Sequence, residues 1–455
     1  MNITDSDVEH VAHALGSTPT GAYTTPIVYP WAVQNFVQRP SAERERPAGG
    51  RQRIYLHIPF CNYHCTFCFY AVRTGAKRDE MTRYVKALTR EVQFVPEGSS
   101  LGRLIVGGGT PTALPPDLLS EALGAVFAHV PSAPDGGHTI EASPDSVTTD
   151  HLRVLHEQGI GRVSMGIESL DNDVLNAVQR RHTPAQALDA CRLIAESGLT
   201  LNIDLIYGLP GQSEASFRRD LESIAQTGVA SLCLYALRLN ERTAVAGQLA
   251  DTERFDIARL MRWRAFVRSA AADAGFTQTR SYTFKRTGAQ ASWHERPATP
   301  RLSTGAFEIG LGMSARSQIG KAVYRNHEVS ETYMQRIEDG LSPVEAVFDL
   351  QEDDLRTQAL ASTLGNGRPL TRHFWESAYG VALDKEYGHL IEHFRDAGLI
   401  DDDGDRIVLT DLGLLVYDRV LLSFYSSRAQ GWLAGRPANP RRGRAVLTSA
   451  TLPPT

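Results

Sequence analysis

No stretch of the 455-residue chain approaches the roughly 20 consecutive apolar residues that a membrane-spanning helix needs. The first 16 residues are polar and acidic and hold no apolar signal-peptide core, so a cytoplasmic location is the expectation. Charge of one sign is not in excess. Lys and Arg number 47 against 52 Asp and Glu, a net −5, which gives no footprint for nucleic acid or a membrane surface. No internal repeat is visible. Cysteine is scarce at five residues, so no disulfide framework is expected, and a chain this long can bury a full core without one. The length implies two or three domains of roughly 100–200 residues each.

The cysteine that is present is concentrated. Three of the five fall in one run, Cys61-Asn-Tyr-His-Cys65-Thr-Phe-Cys68, directly after a β-prone stretch at 53–58. Cys191 and Cys233 stand alone and read as small buried hydrophobes. Structural zinc would want a second ligand pair at a distance, and although His57 and His64 are nearby, no second Cys-x-x-Cys exists. Three thiolates in one loop can instead ligate three irons of a [4Fe–4S] cubane. The fourth iron is then open to the amino and carboxylate groups of S-adenosylmethionine, a vacancy that Cys₄ sites lack. Phe69 and Tyr70 follow the last cysteine and read either as loop packing or as a contact beside the cluster.

From residue 53 the chain alternates between strands (53–58, 104–106, 138–142, 162–167, 199–206, 231–237) and helices (78–95, 115–130, 149–158, 172–180, 184–197, 213–226). Such alternation argues for an α/β fold with a parallel sheet, a partial (β/α)6 barrel of TIM type, with chemistry at the strands' C-terminal ends. The expected division is an N-terminal arm at 1–50, a barrel at 51–275, a connecting segment at 276–344, a mostly helical, winged-helix-like domain at 345–428 and a disordered tail at 429–455.

Polar residues gather at the strand ends. Gly107-Gly108-Gly109 allows close backbone approach to a ligand, although taken alone it reads first as a plain tight turn. Glu141, Glu168 and Asp204 suit ribose hydroxyls or an ammonium. Each alone reads as well as a helix cap or surface charge, but three on successive strands beside the cysteines favour ligand binding. Arg180 suits a carboxylate, or is a solvated helix-end charge.

These stretches resemble the radical S-adenosylmethionine superfamily, in the branch founded on oxygen-independent coproporphyrinogen III oxidase. The resemblance runs from about residue 50 to 425. It is carried by Tyr55-Leu-His-Ile-Pro-Phe-Cys61, Gly107-Gly-Gly-Thr-Pro-Thr112, Ile140-Glu-Ala-Ser-Pro144, Val163-Ser-Met-Gly-Ile-Glu168, Asn202-Ile-Asp-Leu-Ile-Tyr-Gly-Leu-Pro210 and, more weakly, Ile309-Gly-Leu-Gly-Met-Ser-Ala315. It implies two molecules of S-adenosylmethionine. Tyr55, Gly108 and Glu141 would serve the cluster-bound one. Phe67, Gly109, Thr110, Glu168, Arg180, Asp204 and Ala236 would serve the second. His57 would lie near the cluster as a proton donor or a buried structural residue, and Glu168 would act as a base. An electron donor such as flavodoxin or ferredoxin is implied as partner.

The chain departs from the founding oxidase at Tyr70, where that enzyme has a fourth cysteine, and at Glu168, where it has Gln. The expectation drawn from these departures is a class C radical methyltransferase. It would transfer a methyl or methylene carbon to an sp² carbon of a small natural product, giving methylation or cyclopropanation, with a partner methyltransferase-like enzyme completing the chemistry. The rivals are a coproporphyrinogen III dehydrogenase, a haem chaperone and a haem-degrading enzyme. His373, His389 and His393 read as ordinary helix residues rather than haem ligands. Phe374, Trp375, Tyr379 and Phe394 read as core at least as well as a substrate wall.

Overall fold

The computed structural model describes residues 3–16, 39–40, 49–239, 243–249, 255–288, 308–427 and 430. The tail from 429 onward, residue 430 apart, and most of the N-terminal arm lie outside them.

Six strands form the parallel centre: β1 (Arg51–Ile58), β2 (Ser100–Gly108), β3 (Ser132–Ala142), β4 (Arg162–Glu168), β5 (Thr200–Tyr207) and β6 (Ser231–Ala236). They pair in chain order, each parallel to the last. Such neighbours need helical crossovers. These are α2 (Arg78–Val92), α3 (Pro116–His129), α4 (Thr149–Glu157), α5 (Asn172–Ala177), α6 (Pro184–Glu196) and α7 (Glu214–Ala225); α1 is Asp5–Leu15. The sequence dictates where they begin. Thr183 and Ser213 close capping boxes on α6 and α7, Pro184 takes the first position of α6, and Asp171 caps α5. Apolar residues from the strands, among them Leu56, Val106, Ile140, Val163, Ile203 and Leu232, are buried against those of the helices in one core. All six C-terminal strand ends therefore open to the same side.

The segment expected as a connection, 276–344, extends this sheet. Thr283–Arg286 runs antiparallel to β6 and Phe276–Gln278 pairs outside it. Glu308–Leu311 lies parallel to β1, followed by an antiparallel meander through Arg316–Ile319, Ala322–Asn326 and Val344–Asp349. These strands are too short to carry a readable period of two. Their docking is fixed by Glu91, 3% exposed, which accepts hydrogen bonds from the Gly312 amide (2.7 Å), Asn326 Nδ2 (2.8 Å) and Tyr333 Oη (2.8 Å).

The C-terminal region is helical, with a small three-stranded sheet of Leu370–Thr371, Ile400–Asp402 and Arg406–Leu409. It packs on α8 (Ile257–Asp273), where Arg264 pairs with both oxygens of Asp418 at 2.7 and 2.9 Å. Trp375 and Phe394 are core here, together with Val11 and Leu15 of α1. His393 Nε2 hydrogen-bonds the Ala14 carbonyl at 2.7 Å, an ordinary packing role.

Candidate active site

β1 ends in Ile58, and the cysteine loop begins three residues later. It is laced to its neighbours through backbone. The Gly109 amide donates to Ile58 O (2.8 Å), the Thr110 amide to Phe60 O (2.8 Å), and the Thr66 amide to Val178 O (3.1 Å). Cys61, Cys65 and Cys68 are free thiols, Cys65 buried and the others half-buried. Cys61 Sγ lies 3.5 Å from Thr110 Oγ1, and Arg180 Nη1 donates to Cys65 Sγ at 3.7 Å. Burial pushes all three thiols up, Cys68 to about 12, so ligation must displace protons. Among the described residues no three His, Cys, Asp or Glu side chains converge on one point as a single ion would need. A cubane asks one thiolate per iron, which is the arrangement three spaced cysteines offer.

The glycine run at the end of β2 is sterically required. Gly108 has φ +114°, and a Cβ there would lie 2.5 Å from the His57 ring. A Cβ on Gly107 would lie 2.6 Å from Glu141 Oε2. The Gly108 amide instead donates to Glu141 Oε2 at 3.2 Å. His57 stands between Tyr55 Oη (3.4 Å to Nδ1) and the Ala71 carbonyl (3.3 Å from Nε2). Burial drops its pKa to about 4, so at neutral pH this imidazole holds no cationic proton to give. Its packing on Gly108 fits the structural role.

Glu141, Glu168 and Asp204 meet inside the barrel. Burial raises Glu141 and Glu168 to about 7, and the Asp204 charge pushes both further in that direction. Asp204 is also raised by burial, although it accepts from Asn202 Nδ2 (2.7 Å) and Ser164 Oγ (3.1 Å). It lies mid-strand on β5, opposite Gly166 and Cys233, deeper than the strand end its motif implied. Glu168 has φ +69° at a register shift in β4, a strained backbone that turns its carboxylate toward Arg180. Arg180 Nη2 stands 3.7 Å from Glu168 Oε1, with side chains only 8% and 12% exposed, and also donates to the Gly166 carbonyl. Arg180 is thus no solvated helix-end charge. Gln179, at φ +59°, lifts it off the end of α5, and its Nε is buried without a partner. Three buried acids against so few cations suit a ligand bearing ammonium and sulfonium charge. The unpartnered Nε suits that ligand's carboxylate. The donor set therefore fits both the cluster and S-adenosylmethionine. Phe67 packs beside Val174, Val178 and Leu237, and Ala236 ends β6 at the same rim.

Sequence reading missed Asp145. It accepts from Asn62 Nδ2 (3.0 Å), Tyr63 Oη (3.3 Å) and Ser143 Oγ, tying the cysteine loop to the end of β3. Asn62 and Tyr63 within the cysteine run were the available signal.

Residues 55–224 match the family model described as Radical SAM superfamily. The chain is 30% identical over 385 residues to the heme chaperone HemW of Mycobacterium tuberculosis, covering 81% of this chain and 93% of that protein. It is 26% identical over 426 residues to the oxygen-independent coproporphyrinogen III oxidase of Pseudomonas aeruginosa, covering 89% and 92%. The solved coproporphyrinogen III oxidase HemN of Escherichia coli superposes with a TM-score of 0.74 at 22% identity, covering 88% of this chain and 96% of that one. These relatives overturn the natural-product methyltransferase expectation. They are named as oxidases and heme chaperones along nearly their whole length, so Tyr70 and Glu168 do not mark a carbon-transfer enzyme. Membership also brings a [4Fe–4S] cluster and S-adenosylmethionine. Among the described residues no helix is long and apolar enough to cross a membrane. The chain belongs to the radical SAM superfamily, in the branch that holds the oxygen-independent coproporphyrinogen III oxidases and the heme chaperones HemW.

Proposed function

We propose that this protein cleaves S-adenosylmethionine reductively and turns the radical on a tetrapyrrole, as a coproporphyrinogen III dehydrogenase that converts a propionate to a vinyl group with loss of carbon dioxide, one S-adenosylmethionine per vinyl group taking up the two electrons as it is reduced to methionine and 5′-deoxyadenosine. The observation that carries the reading is the buried acid set, Glu141, Glu168 and Asp204, facing Arg180 beside the cysteine loop. The named activity of relatives matched over nine-tenths of their length supports the substrate class.

Cys61, Cys65 and Cys68 would hold the cluster, which when bound supplies the electron that cleaves the sulfonium. Tyr55, Gly108 and Glu141 are assigned to the first S-adenosylmethionine, with the Gly108 turn packed on His57 and its amide held by Glu141. A second molecule is assigned to Phe67, Gly109, Thr110, Glu168, Arg180, Asp204 and Ala236, where Arg180 Nε is free for a carboxylate. Glu168, near 7, can take or release a proton at neutral pH, whereas His57 acts as a neutral hydrogen-bonding group. The small-molecule substrate would enter above these residues, and flavodoxin or ferredoxin would reduce the site.

A second reading, a haem carrier, is favoured by the 30% identity to a heme chaperone over 93% of its length. One experiment separates the two. The anaerobically reconstituted protein is given dithionite, S-adenosylmethionine and coproporphyrinogen III labelled in its propionate carboxylates. Labelled carbon dioxide formed in step with 5′-deoxyadenosine is expected, and both should vanish when Cys61, Cys65 and Cys68 are replaced by Ala. Stoichiometric haem binding without carbon dioxide would move the carrier reading ahead.

A further inference from the structure

The barrel interior is acidic, but its rim on the β6 side is basic. Arg238 follows β6 by two residues, where the Leu237 amide donates to Tyr207 O at 2.8 Å. Next to it the turn between Phe276–Gln278 and Thr283–Arg286 carries Arg280 and Tyr282. The Leu234 amide donates to Tyr282 O at 2.8 Å, and the rings of Tyr235 and Tyr282 lie 5.0 Å apart at 33°. The same turn docks on the C-terminal region. Ser281 Oγ donates to Gly365 O at 2.9 Å and the Ser281 amide to Asn366 O at 3.3 Å, which brings in Arg368. Three half-buried arginines from three segments thus meet at one seam. Arg368 is destabilised as a cation by burial and by Arg280, and the Arg238 charge is felt at Tyr282. Neither Arg238 nor Arg368 forms an ion pair among the described residues. Like charges held together while partly desolvated want anions between them.

The aromatic pair joins this seam to the acid floor. Cys233 and Tyr235 point to one face of β6 (alternate residues of a strand), and Cys233 Sγ lies 3.7 Å from Asn202 Oδ1, the residue that holds Asp204. A flat ring system laid on Tyr235 and Tyr282 would therefore have the acids beneath it and the arginines at its edge.

We infer that Arg238, Arg280 and Arg368, with the Tyr235–Tyr282 pair, form the subsite that grips the peripheral carboxylates of the tetrapyrrole. The acid floor takes the cationic cofactor, and the basic seam takes the anionic substrate and turns one carboxylate-bearing edge toward the cysteine loop. This rests on the tetrapyrrole reading above.

Coproporphyrin III and its tetramethyl ester are the probes, titrated by absorbance into the full-length reconstituted protein. The wild type should bind the tetra-acid at least tenfold more tightly than the ester. The Arg238→Gln/Arg368→Gln variant should lose most of that preference, and Arg238→Lys/Arg368→Lys should keep much of it, because charge rather than fold carries the effect. Equal wild-type binding of acid and ester would overturn the inference and leave the tetrapyrrole reading standing. So would a preference that survives the double Gln variant. Binding of neither probe by the wild type would remove the tetrapyrrole reading and the subsite with it.

Discussion

Glu141→Gln isolates the electrostatics of the acid floor. Gln keeps the shape of the side chain and an oxygen to accept the Gly108 amide at the 3.2 Å position, and it removes only the charge. Burial first, and the Asp204 charge second, raise the folded-state pKa of Glu141 from 4.5 to about 7. The folded state then binds more protons than the unfolded one between these values, so stability falls as pH rises through that window. A shift of this size makes ionisation cost about 2.5 kcal/mol of stability between pH 5 and pH 8. Between pH 5 and pH 8 the metal-free wild type should therefore lose stability relative to the Gln variant by an amount on the order of 2 kcal/mol, the contributions of Glu168 and, with opposite sign, of His57 being common to both. Urea unfolding at constant ionic strength measures this as a difference of differences, which cancels any pH-independent effect of the substitution. Function should move the other way. The bound cation needs the carboxylate ionised, so S-adenosylmethionine affinity should rise from pH 6 to 8 in the wild type, and should be weaker with a shallower slope in Glu141→Gln. Identical pH slopes of stability in the two proteins would refute the claim that the carboxylate is held in an unfavourable environment.

Arg180→Ala leaves Glu168 buried beside Asp204 without its counter-charge, and should cost about 3 kcal/mol by denaturant melting. It should also abolish most 5′-deoxyadenosine formation, and wild-type stability in this variant would show that the 3.7 Å pair is not coupled. Glu91→Ala removes the acceptor shared by the Gly312 amide, Asn326 Nδ2 and Tyr333 Oη. A loss of about 3 kcal/mol is expected, with hydrogen exchange rising at 308–326 before the parallel strands. At the C-terminal interface, Arg264 holds Asp418 at about 2, so the Asp418 contribution is complete above pH 4 and lost as pH falls through 2. A double-mutant cycle on Arg264 and Asp418 should give a coupling of about 2–3 kcal/mol at pH 7 that fades toward pH 2.

The parallel strands were legible because apolar residues recur along each between stretches of helical periodicity, and those residues join one core. The cysteine loop was legible because Cys61, Cys65 and Cys68 fall within eight residues. Short strands at 276–286 and 308–326 were not, since three to five residues carry no period and their register is set by distant partners such as Glu91. Reaction type was the least legible level. Tyr70 was read as a loss of porphyrin chemistry, yet in the fold it stacks on Phe69 with rings 4.5 Å apart and is 57% exposed at the site's mouth. So exposed a side chain can vary without moving Cys61, Cys65 or Cys68.

The same division separates cofactor from substrate in physical terms. The groups proposed to meet the cofactor lie on, or just beyond, adjacent parallel strands, so local motifs predict their meeting. Groups at the basic seam come from the exit of β6, from an antiparallel turn and from a loop of the C-terminal region, separated by some 40 to 130 positions in the chain. Nothing local in the sequence relates Arg238 to Arg368. The docking of Ser281 on Gly365 and Asn366 brings them to one edge. One of the contacts that seat the C-terminal region on the barrel therefore also completes the proposed anionic subsite. Weakening it through Ser281→Ala should lower the preference for coproporphyrin III over its ester while leaving the Glu141-dependent pH slope of stability in place. Loss of both together would mean that seam and acid floor are one cooperative unit.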